Sequence, residues 1–149
     1  MAYVAVKGGE RAIDNAHAWL AEARRGGNAE VIATIERARE EIPAEFSRQM
    51  GWVRIALQNA FYQLLHAATF EEGLVATVTA GGDTDTNGAI AGALLGAVHG
   101  RDGVPRRYRE QVLTCRPLRE IGAKQPRPRE FWPVDAMVLA EALLLAGAR

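Results

Sequence analysis

The chain has 149 residues, 48% of them apolar and 24% charged, with 18 basic and 18 acidic side chains in balance. That composition supports an ordinary globular core and excludes a disordered chain. The cancelled charge excludes a global field toward nucleic acid or anionic lipid, and the single cysteine, Cys115, excludes an internal disulfide and a cysteine-built zinc site.

In chain order, the predicted elements are almost all helices. Residues 3–7 alternate like a strand, but so short a run does not make a sheet. Ile13, Ala16, Leu20 and Ala23 fall at helical spacing, and Gly26-Gly27 stops them. Asn28 can cap a second helix with apolar positions at Val31, Ile32, Ile35, Ala38 and Ile42, which Pro43 ends. After a linker over residues 47–51 comes the strongest stripe: Val53, Ala56, Leu57, Ala60, Leu64 and Leu65. Thr69 and Glu72 have the spacing of a capping box and open a helix carrying Phe70, Leu74, Val75 and Val78. Gly81-Gly82 ends it, since glycine takes backbone angles other residues avoid. The next helix is expected from about Asp85 to His99, with Gly100 as its cap.

Residues 101–129 are basic and proline-rich, with nine Lys or Arg against three acids. Short helices and extended pieces with solvated arginines are expected there. Tyr108 is the one aromatic among them, so an interleaved nucleic-acid patch is not expected. Phe131-Trp132-Pro133 opens a last helix over residues 134–148. No uncharged apolar run reaches the about 20 residues a bilayer crossing needs, and the N-terminal run is too short for a signal sequence. No membrane partner and a cytoplasmic location are therefore expected. The apolar runs 88–98 and 134–148 are expected as buried or half-buried helices.

One segment concentrates chemistry. In Asp83-Thr84-Asp85-Thr86-Asn87, two carboxylates and three further oxygen-bearing side chains sit between apolar helices. Such a cluster needs compensation. Helix capping supplies it, with Asp or Thr side chains accepting from free amides. A divalent cation supplies it equally, and oxygen-only ligands select a hard ion, Mg²⁺ or Ca²⁺. Composition does not separate the two. An EF-hand loop is excluded because its twelfth position is Leu94, where a bidentate glutamate is required. A P-loop is excluded because no Gly-Lys-Ser/Thr follows the glycines. Gly88, Gly92 and Gly96 share a helix face and imply close approach by a helix or a ligand; packing is the reading for Gly92 and Gly96, while Gly88 could leave room at a site.

Gly-Gly-Asp-Thr-Asp-Thr at residues 81–86, followed by a small-residue helix, resembles the C-terminal metal motif of the ADP-ribosylglycohydrolases, the family that includes dinitrogenase reductase-activating glycohydrolase. Gly51-Trp52-Val53, Thr69-Phe70-Glu71-Glu72-Gly73-Leu74, Gly96-Ala97-Val98-His99-Gly100 and Val104-Pro105-Arg106-Arg107-Tyr108 resemble its flanking segments. The resemblance covers residues 10–120; residues 121–149 form a divergent tail with the terminal helix, and the whole is expected as a single helical domain.

The resemblance implies an all-α helical bundle like the C-terminal half of the family fold, with a magnesium centre of one or two ions. It implies an ADP-ribosylated substrate or an ADP-ribose-like ligand. Asp83, Asp85 and Thr86 would be the metal ligands, and Thr84 would shape the turn. Gly82, Trp52 and Gly88 are the candidate substrate-binding positions, with core packing an equal reading for Trp52. The resemblance also implies a second acidic motif and a water-activating acid in an N-terminal half. Thr84-Asp85 is the one Thr-Asp in the chain, and no catalytic acid is assigned. Three readings follow: a partial site with weak or lost activity, a site completed by another chain, or a helical interaction module that keeps the turn as a cap. A homodimer is expected, with the Leu143-Leu144-Leu145 run covering exposed apolar surface or joining two copies. Trp19 and Trp132, the dispersed His17, His66 and His99, and Cys115 are read as structural or passive.

Overall fold

The computed structural model describes residues 29–147. The expected strand-like residues 3–7, the helix through Ile13 and Ala23, and His17 and Trp19 lie outside the described residues. Among the described residues there are six α-helices and three short 3₁₀ turns, and no strand. The fold is all-α, as expected.

The chain divides into two compact units, Met1–Val104 and Pro105–Arg149. In the first, α1 (Ala29–Arg37) packs on α2 (Val53–His66), which packs with α3 (Phe70–Thr79) and α4 (Thr84–Gly103). Ile35, Ala38, Ala60, Phe61, Leu64, Ala91 and Leu94 form the shared core. Ala38, Ala60 and Ala91 are wholly buried, and their small side chains let the elements approach closely around Phe61. Removal of such surface from water is the main favourable term in folding.

The second helix was expected to run to Ile42; α1 stops at Arg37 instead. Its end tightens into three-residue turns, with Ala38, Arg39 and Glu40 donating to the carbonyls of Ile35, Glu36 and Arg37. Beyond it, side chains of α2 take the carbonyls: Gln58 Nε2 donates to Glu41 O at 3.0 Å, and His66 Nε2 pairs with Arg39 O at 3.1 Å. Pro43 still bars continuation.

The capping box forms. Glu72 N donates to Thr69 Oγ1 at 3.1 Å, and Glu72 Oε2 accepts from Ala68 N at 3.0 Å. Thr69→Ala is expected to cost about 1 kcal/mol, measured by urea unfolding of the full chain. Gly100, at φ 70°, breaks the regular run of α4 where the cap was expected.

Gly88, Gly92 and Gly96 face Val78, Leu74 and Phe70 of α3, so the helix approach is present. It is looser than three glycines suggest, because added Cβ atoms there would meet nothing closer than 3.5 Å. Between α3 and α4, the glycine that packing does require is Gly73, whose added Cβ would stand 2.7 Å from Leu95 Cδ1 and 3.0 Å from Ala67 Cβ.

In the second unit, residues 105–147 carry α5 (Arg106–Leu113), the 3₁₀ turns Arg119–Ile121, Arg129–Phe131 and Pro133–Asp135, and α6 (Ala136–Gly147). Trp132 donates from Nε1 to Arg127 O at 2.8 Å, and Arg116 lies over its ring. The expectation of a buried or half-buried last helix is corrected: α6 has no buried residue, and Val138, Leu139, Leu143, Leu144 and Leu145 are all exposed. Apolar composition set that expectation, but it does not say which surface covers a helix. No helix of the described residues is long and apolar enough to cross a membrane.

Candidate functional site

The acidic turn joins α3 to α4. Gly81 and Gly82 both have positive φ, 83° and 69°, and reverse the chain between the two helices. The turn seats on the loop of residues 43–52. A Cβ on Gly82 would stand 2.1 Å from Phe46 O, one on Gly81 would meet Ser47 Oγ at 3.8 Å, and one on Gly51 would meet Asp83 Oδ2 at 3.8 Å. Backbone shape thus presents Asp83 toward Gly51 and the neighbouring Trp52.

Asp83 occupies the N-cap position of α4 but makes no side-chain cap bond. The capping reading therefore does not account for it. Asp85 is different: its carboxyl shares a hydrogen bond with the Asp83 side chain and accepts from the amides of Thr86 and of Asp85 itself. These bonds, the Asp83 bond first, hold it below its ordinary value of 3.8. Because the folded value is depressed, the associated stability is present above 3.8 and is lost as pH falls below it. The charge of the two acidic groups is concentrated at a helix start. The helix dipole offsets part of that charge. No ion pair among the described residues reaches either one; Arg39, Arg48, Arg54 and Arg106 are paired instead with Glu36, Glu45, Glu30 and Glu110.

Thr86 adds a hydroxyl in the first turn of α4 and is exposed. Two carboxylates and a hydroxyl, all oxygen, have the chemistry of a hard divalent cation site. The donor set fits Mg²⁺ in kind. It is short in number, since octahedral coordination takes six ligands, and no cluster of three or more His, Cys, Asp or Glu gathers among the described residues.

Trp52 is 44% exposed, with the Arg54 guanidinium 4.8 Å from its ring centroid. Arg54 is itself held by Glu30 Oε2 at 2.9 Å and Thr34 Oγ1 at 3.0 Å. Trp52, with Pro43, Arg48 and Gln58, lines a groove of about 340 Å³ on the loop that seats the acidic turn. Gly88 is buried, with Val78 and Leu74 of α3 beside it. The structure thus brings Gly82, Asp83, Asp85 and Thr86 together beside the Trp52 loop, with Gly88 one turn along α4.

Sequence reasoning passed over two contributors. Phe46, buried, supplies the carbonyl surface on which Gly82 rests; nothing in residues 43–50 marks it. Asn87 is the other. It is only 4% exposed, and its side-chain amide makes no hydrogen bond to any described residue. Its place in the polar run was visible, but its burial was not.

His66 stacks near Tyr62 at 4.2 Å and closes α2, and Glu110 pairs with Arg106 at 2.6 Å, as structural readings require. Cys115 is an exposed free thiol.

An all-helical protein with paired aspartates presented on a Gly-Gly turn is the class that fold and geometry define. The chain belongs to the ADP-ribosylglycohydrolase family, whose model matches residues 1–143. That match runs beyond residues 10–120 and into the tail. The chain is also similar to ADP-ribosyl-(dinitrogen reductase) glycohydrolase of Rhodospirillum rubrum, 43% identical over 49 residues, which is 33% of this chain and 17% of that protein. The match thus spans about one sixth of that relative's length. No solved structure matches the chain significantly.

Proposed function

We propose that this chain supplies one acidic half of a magnesium-dependent site that hydrolyses an ADP-ribosyl glycosidic bond on a modified side chain. Family membership supports the hydrolase class. The observation that carries the metal reading is Asp83, at the start of α4 yet unused as a cap, with Asp85 beside it.

Asp83, Asp85 and Thr86 are the residues that would hold Mg²⁺, one ion weakly or two poorly by themselves. A bound cation there would orient the ribose and stabilise charge at the scissile bond. Gly82 allows the turn to sit on Phe46, and so keeps Asp83 aimed at Gly51. Trp52 lines the pocket for the ADP-ribosyl group, with Arg54 steadying its ring. Gly88 lets α4 lie against α3 close to the turn. The remaining ligands and a catalytic acid would come from another segment or another chain.

The test is release of ADP-ribose from ADP-ribosyl-arginine by the full chain with Mg²⁺. Release that stops on chelation supports the hydrolase. Metal binding without release supports the incomplete site. Neither binding nor release contradicts both.

A second reading is a non-catalytic interaction module that forms a homodimer. The exposed Leu143, Leu144 and Leu145 of α6 favour it, since exposed apolar clusters mark interaction surfaces. A monomer by light scattering at high concentration would remove that reading.

A further inference from the structure

Six polar side chains are buried among the described residues: Thr34, Gln58, Asn59, Gln63, Thr77 and Asn87. Five are bonded. Thr34 donates to Glu30 O at 2.7 Å, and Gln58 to Glu41 O at 3.0 Å. Asn59 donates to Thr77 Oγ1 at 2.9 Å, Gln63 to Asn59 Oδ1 at 3.3 Å, and Thr77 to Gly73 O at 2.8 Å. Asn87 is the exception. A buried amide without a partner costs about 1–3 kcal/mol, and an apolar residue of the same size would fill the space without that cost. A polar group kept at such a cost points to a ligand outside the protein atoms.

The place of Asn87 identifies the ligand. Its backbone N–H donates to Asp83 O at 3.0 Å, so it stands one helical turn from Asp83 and on the same face. Helical side chains lean toward the N-terminus and cover the preceding turn. The Asn87 amide therefore leans over the Asp83–Thr84 end of α4. A hydrated Mg²⁺ keeps several of its waters, and those waters donate hydrogen bonds that a carboxamide oxygen accepts. We propose that Asn87 is a positioning residue of the acidic turn, its buried amide receiving a water of the divalent cation held by Asp83 and Asp85. The inference rests on the cation reading above.

Calorimetric titration of Mg²⁺ into the full chain tests it, together with metal-free melting, for the wild type, Asp83→Asn, Asn87→Leu and Asn87→Ala. Both Asn87 variants are expected to weaken Mg²⁺ binding by about tenfold, the lower end for lost outer-shell partners. Metal-free Asn87→Leu is expected to melt no lower than the wild type, because its unpaired amide is gone. Asn87→Ala removes the amide without adding bulk, and keeps the test sound if leucine does not fit. Unchanged Mg²⁺ affinity in both Asn87 variants, with binding lost in Asp83→Asn, overturns this inference alone. Lower melting of both with unchanged affinity assigns Asn87 to structure and overturns it too. No Mg²⁺ binding by the wild type overturns the cation reading beneath it.

Discussion

Gly82→Ala is expected to destabilise the protein by about 3 kcal/mol, more than any other single-methyl addition in the turn. Two costs combine. A residue with a Cβ at φ 69° is in the left-handed region, at roughly 1–2 kcal/mol. The added atom would also stand 2.1 Å from Phe46 O, and a backbone oxygen cannot swing aside as a flexible side chain can. Either the loop of residues 43–52 retreats or the turn lifts off it, and overpacking of this kind costs about 1–3 kcal/mol more. Gly92→Ala is the contrast: its added Cβ meets nothing nearer than Leu74 Cδ1 at 3.8 Å. There the helix-propensity gain of up to about 1 kcal/mol is expected to survive. Urea unfolding of the two variants beside the wild type reads both signs. Equal stability of all three would mean that the turn does not bear on Phe46.

Asp83→Asn is expected to lower Mg²⁺-dependent ADP-ribose release by about 100-fold or more while leaving the melting temperature nearly unchanged. The change is nearly isosteric, and Asp83 makes no cap bond for it to break. What it removes is negative charge at the helix start and a hard anionic ligand. A cation contribution of several kcal/mol to a charged transition state corresponds to a loss of that size. Asp85 has a second duty in accepting from the Thr86 amide, so Asp85→Asn would mix ligand loss with lost capping. Asp83 is therefore the cleaner probe. A large fall in melting temperature with metal affinity intact would place Asp83 in structure instead.

How much of this was legible depended on the range of the interactions involved. The capping box at Thr69 and Glu72 and the stop at Gly100 are local, and the sequence shows them directly. So is the pairing of Asp83 and Asp85, because two positions at a tight turn bring the carboxyls to one side. The early end of α1 was not legible, since it depends on Gln58 and His66, 17 and 27 residues away from the carbonyls they meet. The contact of Gly82 with Phe46 is long-range in the same way. The glycine stripe of α4 announced its face correctly but not its spacing, and Gly73, the one tightly packed between α3 and α4, carries no signature in a lone mid-helix position. Nor could hydropathy say whether α6 is covered, because burial depends on what lies opposite.

The most direct measurement is the paramagnetic resonance of Mn²⁺, a stand-in for Mg²⁺, titrated into the full-length chain and into Asp83→Asn. The wild type should quench the free-ion signal saturably and the variant should not. Matching free-ion signals from the two proteins would mean that these paired carboxylates hold no metal, leaving the Gly-Gly turn a helix start and nothing more.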